Sequence, residues 1–239
     1  MKGGKKLFIR LLIIAITPAI SIGLAVYLSD RYDKEPFHLL LKTFLFGALI
    51  VIPVIVVERI LTGLNIFPGI FNIAFTAFIV AGFTEEFFKR EVVLRLVYKS
   101  KDFNEKLDGI VYAVFSALGF ATVENVMYLL KFSSYNPYIG IYRGILSVPA
   151  HSVFAVTMGY YLSLAKYSDT RKEEINYLKK SLYIPMILHG FFNFILMAKI
   201  QLLAILFIPY VLYLWKSNQS KLNRYIKESK IKHDINNKK

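Results

Sequence analysis

At 239 residues, 56% of them hydrophobic and 15% aromatic, the chain has the composition of one membrane-embedded helical bundle rather than of soluble domains. It has no cysteine, which excludes disulfides, thiolate metal sites and a cysteine nucleophile and leaves His, Glu and Asp for any ligand or acid–base role. The net charge of +14 does not point to nucleic acid, because Lys and Arg fall between apolar runs and near the C-terminus, where phospholipid headgroups would meet them.

Taken in order, apolar runs long enough to cross a hydrocarbon core of ~30 Å lie near residues 7–28, 38–61, 66–98, 108–130, 143–165, 181–198 and 201–215. The prediction is an all-α polytopic transmembrane bundle of about seven spans, forming a single integral-membrane domain over 1–239 in which 216–239 is a basic, flexible tail. The first run starts on basic residues like a signal peptide, but it has full-span length and no convincing small-residue cleavage site, so it is read as a retained anchor. The connections are short and polar, among them DRYDKEP (30–36), which is expected to be solvated. No internal repeat marks the inverted halves common in transporters. With seven spans, 18 Lys and Arg lie on the C-terminal side of the membrane and 8 on the other, which favours a cytoplasmic C-terminus even though the N-terminal start is itself basic.

The stretch 82–95, GFTEEFFKREVVLR, sets the adjacent carboxylates Glu85 and Glu86 directly after an almost wholly apolar run. In a bilayer each must be neutral, paired or facing a water-filled cavity. A plainer account is a salt-bridged helix end, since Glu85–Lys89, Glu86–Arg90 and Glu91–Arg95 all have i,i+4 spacing. Other spans carry polar groups at matching depth. Glu124 is ~10 Å, His151 ~12 Å and His189 ~15 Å from the same membrane surface, and Asn193 follows His189 on one helix face. A lone His in a span is more often a helix-to-helix hydrogen bonder than a ligand, and Asn193 could serve as polar glue. Glu124 is harder to dismiss, because a buried carboxylate without a role is rare.

A straight helix over 66–98 would be ~50 Å long and would carry Glu85 into the headgroups. Measured back from Lys99, Glu85 lies ~21 Å in, level with Glu124 and His151. A site therefore requires a kink, a steep tilt or a change of segment between Pro68 and Glu85.

These residues resemble the PrsW intramembrane proteases, relatives of the CAAX prenyl protease and bacteriocin-immunity group. The likeness rests on DRYDKEP, GFTEEFFKR with its EExxK core, DGIVYAVFSALGFATVEN, VPAHSVFAVTMGYYL and IPMILHGFFNF, in this order across most of the chain. The resemblance implies a multi-pass cell-membrane protease that cuts a single-pass anti-sigma factor near the outer surface, the first cut of a cascade that frees a sigma factor. It also implies that Glu85, Glu86, Glu124, His151 and His189 form the site. Some relatives carry Asp where this chain has Asn193, so Asn193 is expected to orient or stabilise rather than titrate.

The residue chemistry is compatible with that implication. Peptide hydrolysis without Ser or Cys needs a water activated by a carboxylate and a donor for the oxyanion. Glu85 or Glu86 could deprotonate the water, and Lys89 would keep the second carboxylate ionised. His151 and His189 could bind a divalent metal such as zinc with Glu124 as third ligand, or hold water and donate to the oxyanion without metal. Asn193 would add a neutral donor. Two other readings use the same residues: a proton-coupled transporter with a Glu/His relay, and a membrane scaffold with mutually satisfied polar pairs.

Overall fold

The computed structural model describes residues 2–133, 135–136 and 138–237. Its helices are α1 (Lys2–Ser29), α2 (Phe37–Leu49), α3 (Val51–Gly63), α4 (Gly69–Phe75), a π-helical segment (Thr76–Phe83), α5 (Thr84–Leu96), α6 (Lys106–Phe132), α7 (Ile139–Lys166), α8 (Arg171–Ala198) and α9 (Gln201–Asn236). No strand occurs among the described residues, and six spans are long and apolar enough to cross a membrane. The second of these joins α2 and α3 across Ile50. Pro53 lacks the N–H that would bond the Leu49 carbonyl, which is where α2 ends.

α6 is the central helix. Small residues at Gly109, Ala113, Ser116, Ala117, Gly119 and Ala121 line it and are all buried, so neighbouring backbones approach closely. It packs most extensively against α7 and α2, and α1 lies across both α6 and α7. At the α6–α7 crossing Gly109 and Gly159 face each other, and a methyl on Gly159 would run into the Gly109 carbonyl. The outer helices carry exposed apolar side chains such as Ile13, Ile20, Leu24, Ile52 and Ile60, a surface suited to hydrocarbon rather than water.

α9 follows the six spans. It leaves the loop after α8 at one end of the bundle and reaches the opposite end, where Lys232 Nζ meets Asp33 Oδ2 at 3.3 Å and Asn104 Oδ1 at 2.9 Å. The stretch 216–239, expected to be a flexible tail, is instead helical through Asn236, with Tyr225 buried and stacked on Tyr160 of α7. Apolar residues at helical spacing, Leu222, Tyr225 and Ile226, give it a face for the core.

The DRYDKEP loop also departs from expectation. Asp30 and Glu35 are buried, the Glu35 amide donates to Asp30 Oδ2 at 2.9 Å, and the Tyr112 hydroxyl of α6 donates to Glu35 Oε2. Asp108 caps the start of α6 nearby, accepting from the amides of Asn104 and Glu105 at 2.7 Å each. This end of the bundle thus gathers Asp30, Glu35, Glu105 and Asp108 under the last turns of α9.

Candidate active site

The third span changes helix type where the sequence required a break. The π-helical segment Thr76–Phe83 separates α4 from α5, and the Thr84 hydroxyl donates to the carbonyl five residues back, Ile79, at 3.3 Å. Gly82 lies in this segment within close reach of the α8 backbone: a Cβ there would be 3.0 Å from the Met186 carbonyl and 3.3 Å from the Gly190 amide. The close approach sets the start of α5 against α8, and Glu85 and Glu86 point into the bundle. Glu85 is 4% exposed and Glu86 is fully buried.

The two carboxylates share one buried cation. Lys89 Nζ, fully buried, donates to Glu85 Oε2 at 3.0 Å and to Glu86 Oε1 at 2.9 Å. Its third contact is His151 Nδ1 at 3.0 Å. An ammonium only donates, so Nδ1 is the accepting nitrogen and the ring proton sits on Nε2, where it donates to Glu124 Oε2 at 3.0 Å. Both nitrogens of His151 are thereby used. His189 is held by Glu86, with Nδ1 donating to Oε1 at 2.9 Å, which leaves Nε2 as its accepting nitrogen. The Phe154 ring stacks on His189 at 4.9 Å. Pro149 and Pro185 lie shortly before the two histidines in α7 and α8 and remove one main-chain bond from each helix.

Glu85, Glu86, His151 and His189 bring one ligand atom each within 4.8 Å of one another. Glu124 takes a different place from the third-ligand position expected for it. It lies behind His151 and is clamped by Arg143 Nη2 at 2.6 Å, with the guanidinium 3.8 Å above the Tyr128 ring. Of the helix-end pairs read from spacing, Glu85–Lys89 and Glu91–Arg95 form, whereas Arg90 turns away from Glu86 to Ser181 Oγ at 2.8 Å and the Leu178 carbonyl at 3.1 Å on α8.

A cavity of about 520 Å³ opens over this cluster. Glu85, Glu124, His151, His189 and Asn193 line it, and Glu86 and Lys89 do not. Its rim is formed by Arg59 and Thr62 at the end of α3, Lys131 near the end of α6, Arg143 near the start of α7 and Met197 at the end of α8. It therefore opens at the end of the bundle where α9 begins. Arg143 and Glu58, which also lines the cavity, were missed from the sequence, although an ionisable residue three places from the end of an apolar run was a usable signal.

Sequence comparison follows the same outline. The profile of the family described as PrsW family intramembrane metalloprotease matches residues 35–215. The chain is 42% identical over 221 residues to Protease PrsW of Clostridioides difficile (strain 630), covering 92% of this chain and 93% of that one. It is 36% identical over 200 residues to Protease PrsW of Bacillus subtilis (strain 168), covering 84% and 88%, and 35% identical over 207 residues to that of Shouchella clausii (strain KSM-K16), covering 87% and 93%. No solved structure matches the fold. With the matched region running from Glu35 through the cavity residues to the apolar part of α9, the chain belongs to the PrsW family of intramembrane proteases and is a multi-pass membrane peptidase.

Proposed function

We propose that this peptidase makes the first cut in a single-pass, membrane-anchored anti-sigma factor, on the outer side of the cell membrane, with Glu85 activating the attacking water. The observation that carries this reading is that Glu85 is the one member of the adjacent pair that lines the cavity. The cavity opens at the end of the bundle opposite the terminus of α9, and the excess of Lys and Arg on the side of that terminus supports placing it in the cytoplasm.

Glu85 takes a proton from water as the oxygen attacks the scissile carbonyl. The Asn193 amide, on the cavity wall one turn beyond His189, supplies a neutral donor to the oxyanion. His189, oriented by Glu86, accepts that proton from Glu85 at Nε2 and delivers it to the leaving amine as the C–N bond breaks, which returns Glu85 to the carboxylate. His151 has no nitrogen to spare for substrate and instead couples Lys89 to Glu124. The family's description implies a metal. Two carboxylates and two imidazoles are suitable donors, but the Lys89 ammonium lies among them, so the residues as arranged do not fit an ion and no step is routed through one.

Co-expression with candidate anti-sigma factors tests the substrate. A truncated fragment should appear with the wild type and be absent with Glu85→Ala. Equal fragment from both would remove Glu85 from the chemistry.

A further inference from the structure

An ion and an ammonium can recognise the same set of oxygen and nitrogen lone pairs, and here the ammonium is built into the chain. Lys89 Nζ lies 3.0, 2.9 and 3.0 Å from Glu85 Oε2, Glu86 Oε1 and His151 Nδ1. These belong to three of the four side chains that form the donor cluster. Three N–H bonds meet three acceptors, so the ammonium is saturated. The Phe120 ring lies 4.2 Å from Nζ and covers it, adding a cation–π contact. The main chain is held as well: Ser116 Oγ of α6 donates to the Lys89 carbonyl at 3.0 Å.

A divalent ion would bind these donors at about 2.0–2.2 Å. To take Glu85 Oε2, Glu86 Oε1 and His151 Nδ1 together it would have to lie between those three atoms, in the space that Nζ fills.

We infer that Lys89 is the resident cation of the catalytic cluster, and that Lys89 and a divalent metal are mutually exclusive occupants of it. The ammonium does what an ion would do electrostatically. It holds two adjacent buried carboxylates in place and fixes the tautomer of His151. Unlike a metal, it offers no open coordination position, so it polarises the base and leaves the water to Glu85. A metal takes these three donor atoms only if the Lys89 side chain swings away, which breaks all three contacts and strips Glu85 and Glu86 of their shared counter-charge. This inference rests on the reading of Glu85 as the base.

The test uses full-length protein purified in detergent, as wild type and as Lys89→Met, which keeps the length of the side chain and removes the charge. Both are stripped with a strong chelator, titrated with Co²⁺ and Zn²⁺, and followed by cobalt d–d absorption, elemental analysis and melting temperature. The wild type is expected to retain no metal, to show no cobalt spectrum and to cleave peptide equally before and after chelation. Lys89→Met is expected to bind cobalt stoichiometrically with a tetrahedral N/O spectrum and to melt higher with metal than without.

A wild type that carries a stoichiometric ion, and loses both the ion and its activity on chelation, overturns the inference without need of the variant. So does a folded Lys89→Met that gains no metal affinity. Full activity of Glu85→Gln would defeat the underlying assignment of the base while leaving the metal measurements to stand on their own.

Discussion

The bundle buries two groups of carboxylates, one at each end, and neutralises them by different means. Glu85 and Glu86 share a lysine from their own helix, fully buried at 2.9–3.0 Å. Among the described residues, Asp30, Glu35, Glu105 and Asp108 have no buried cation beside them. Lys232 reaches their edge from α9, 3.9 Å from Glu105 and 3.3 Å from Asp33, with its own side chain 42% exposed. Burial instead favours the protonated form of the acids outside the spans. Burial, with Asp108 beside it, pushes Glu35 up to about 10; burial pushes Asp30 up to about 6, and Glu105 is also raised by burial. One end supplies a cation inside the protein, and at the other Glu35 gives up its charge.

The largest expected effect separates the two ends by activity. Glu85→Gln should lower peptide cleavage by about 10²–10⁴-fold with the fold intact, whereas Glu35→Gln, at the other end, should leave cleavage near wild type; in vitro rates on a transmembrane peptide decide this. The next effect is on stability. Lys89→Met without metal leaves two carboxylates buried without their cation and should cost about 3–5 kcal/mol, read from chemical or thermal unfolding in detergent. Arg143→Met should then slow cleavage by about 10–100-fold, the rate equivalent of one hydrogen bond to a charged group, because Glu124 no longer holds the Nε2 proton of His151. A variant with unchanged kcat would detach Glu124 and Arg143 from the site.

The pH response should distinguish the two ends more finely. Glu35 holds its proton more tightly when folded than when unfolded, so folding takes up a proton between pH 4.5 and about 10. Its contribution is therefore full at low pH and is lost as pH rises through that window. Melting temperature should fall as pH is raised from 5 to 9, and Glu35→Gln should flatten the slope; a wild-type profile that rises with pH would contradict the assignment. The smallest effect belongs to Lys232→Met, a half-exposed pair expected to contribute under about 1 kcal/mol, measured as a melting shift that shrinks with added salt.

Much of the site could be read from residue positions alone. Depth along each span put Glu124, His151 and His189 at one level, and Glu85 joined them only if the run over 66–98 kinked, tilted or changed segment; the structure has a π-helical segment there, within one continuous span. What the positions did not convey was which partner each group takes. Glu86 had Arg90 at i+4 as an apparent partner and takes Lys89 and His189 instead, because Arg90 faces α8. Arg143 read as one more positive charge beside a loop, since its partner Glu124 lies on another helix and side-chain direction cannot be read from spacing. The loop at 30–36 does expose Arg31, Asp33 and Lys34, as its polar composition suggests, but the burial of Asp30 and Glu35 was not legible because it depends on Tyr112 of another helix and on the loop's own fold.

The π-helical segment also acts as a phase shifter in the chain. Each residue of an α-helix advances the side-chain direction by ~100°, and the wider turn absorbs a residue that an α-helix would otherwise count. Everything beyond it, from Thr84 to Leu96, owes its bearing to that count. Deleting Ala81 alone, with every residue of the cluster kept, would let the segment relax to an α-helix or swing α5 through most of a quarter-turn or more. The second outcome would aim Glu85 and Glu86 away from Lys89's partners on α7 and α8. A one-residue indel before Thr84 that the segment does not absorb by relaxing is thus expected to be as damaging as loss of a catalytic side chain, while an insertion in the loop between α5 and α6 should be tolerated.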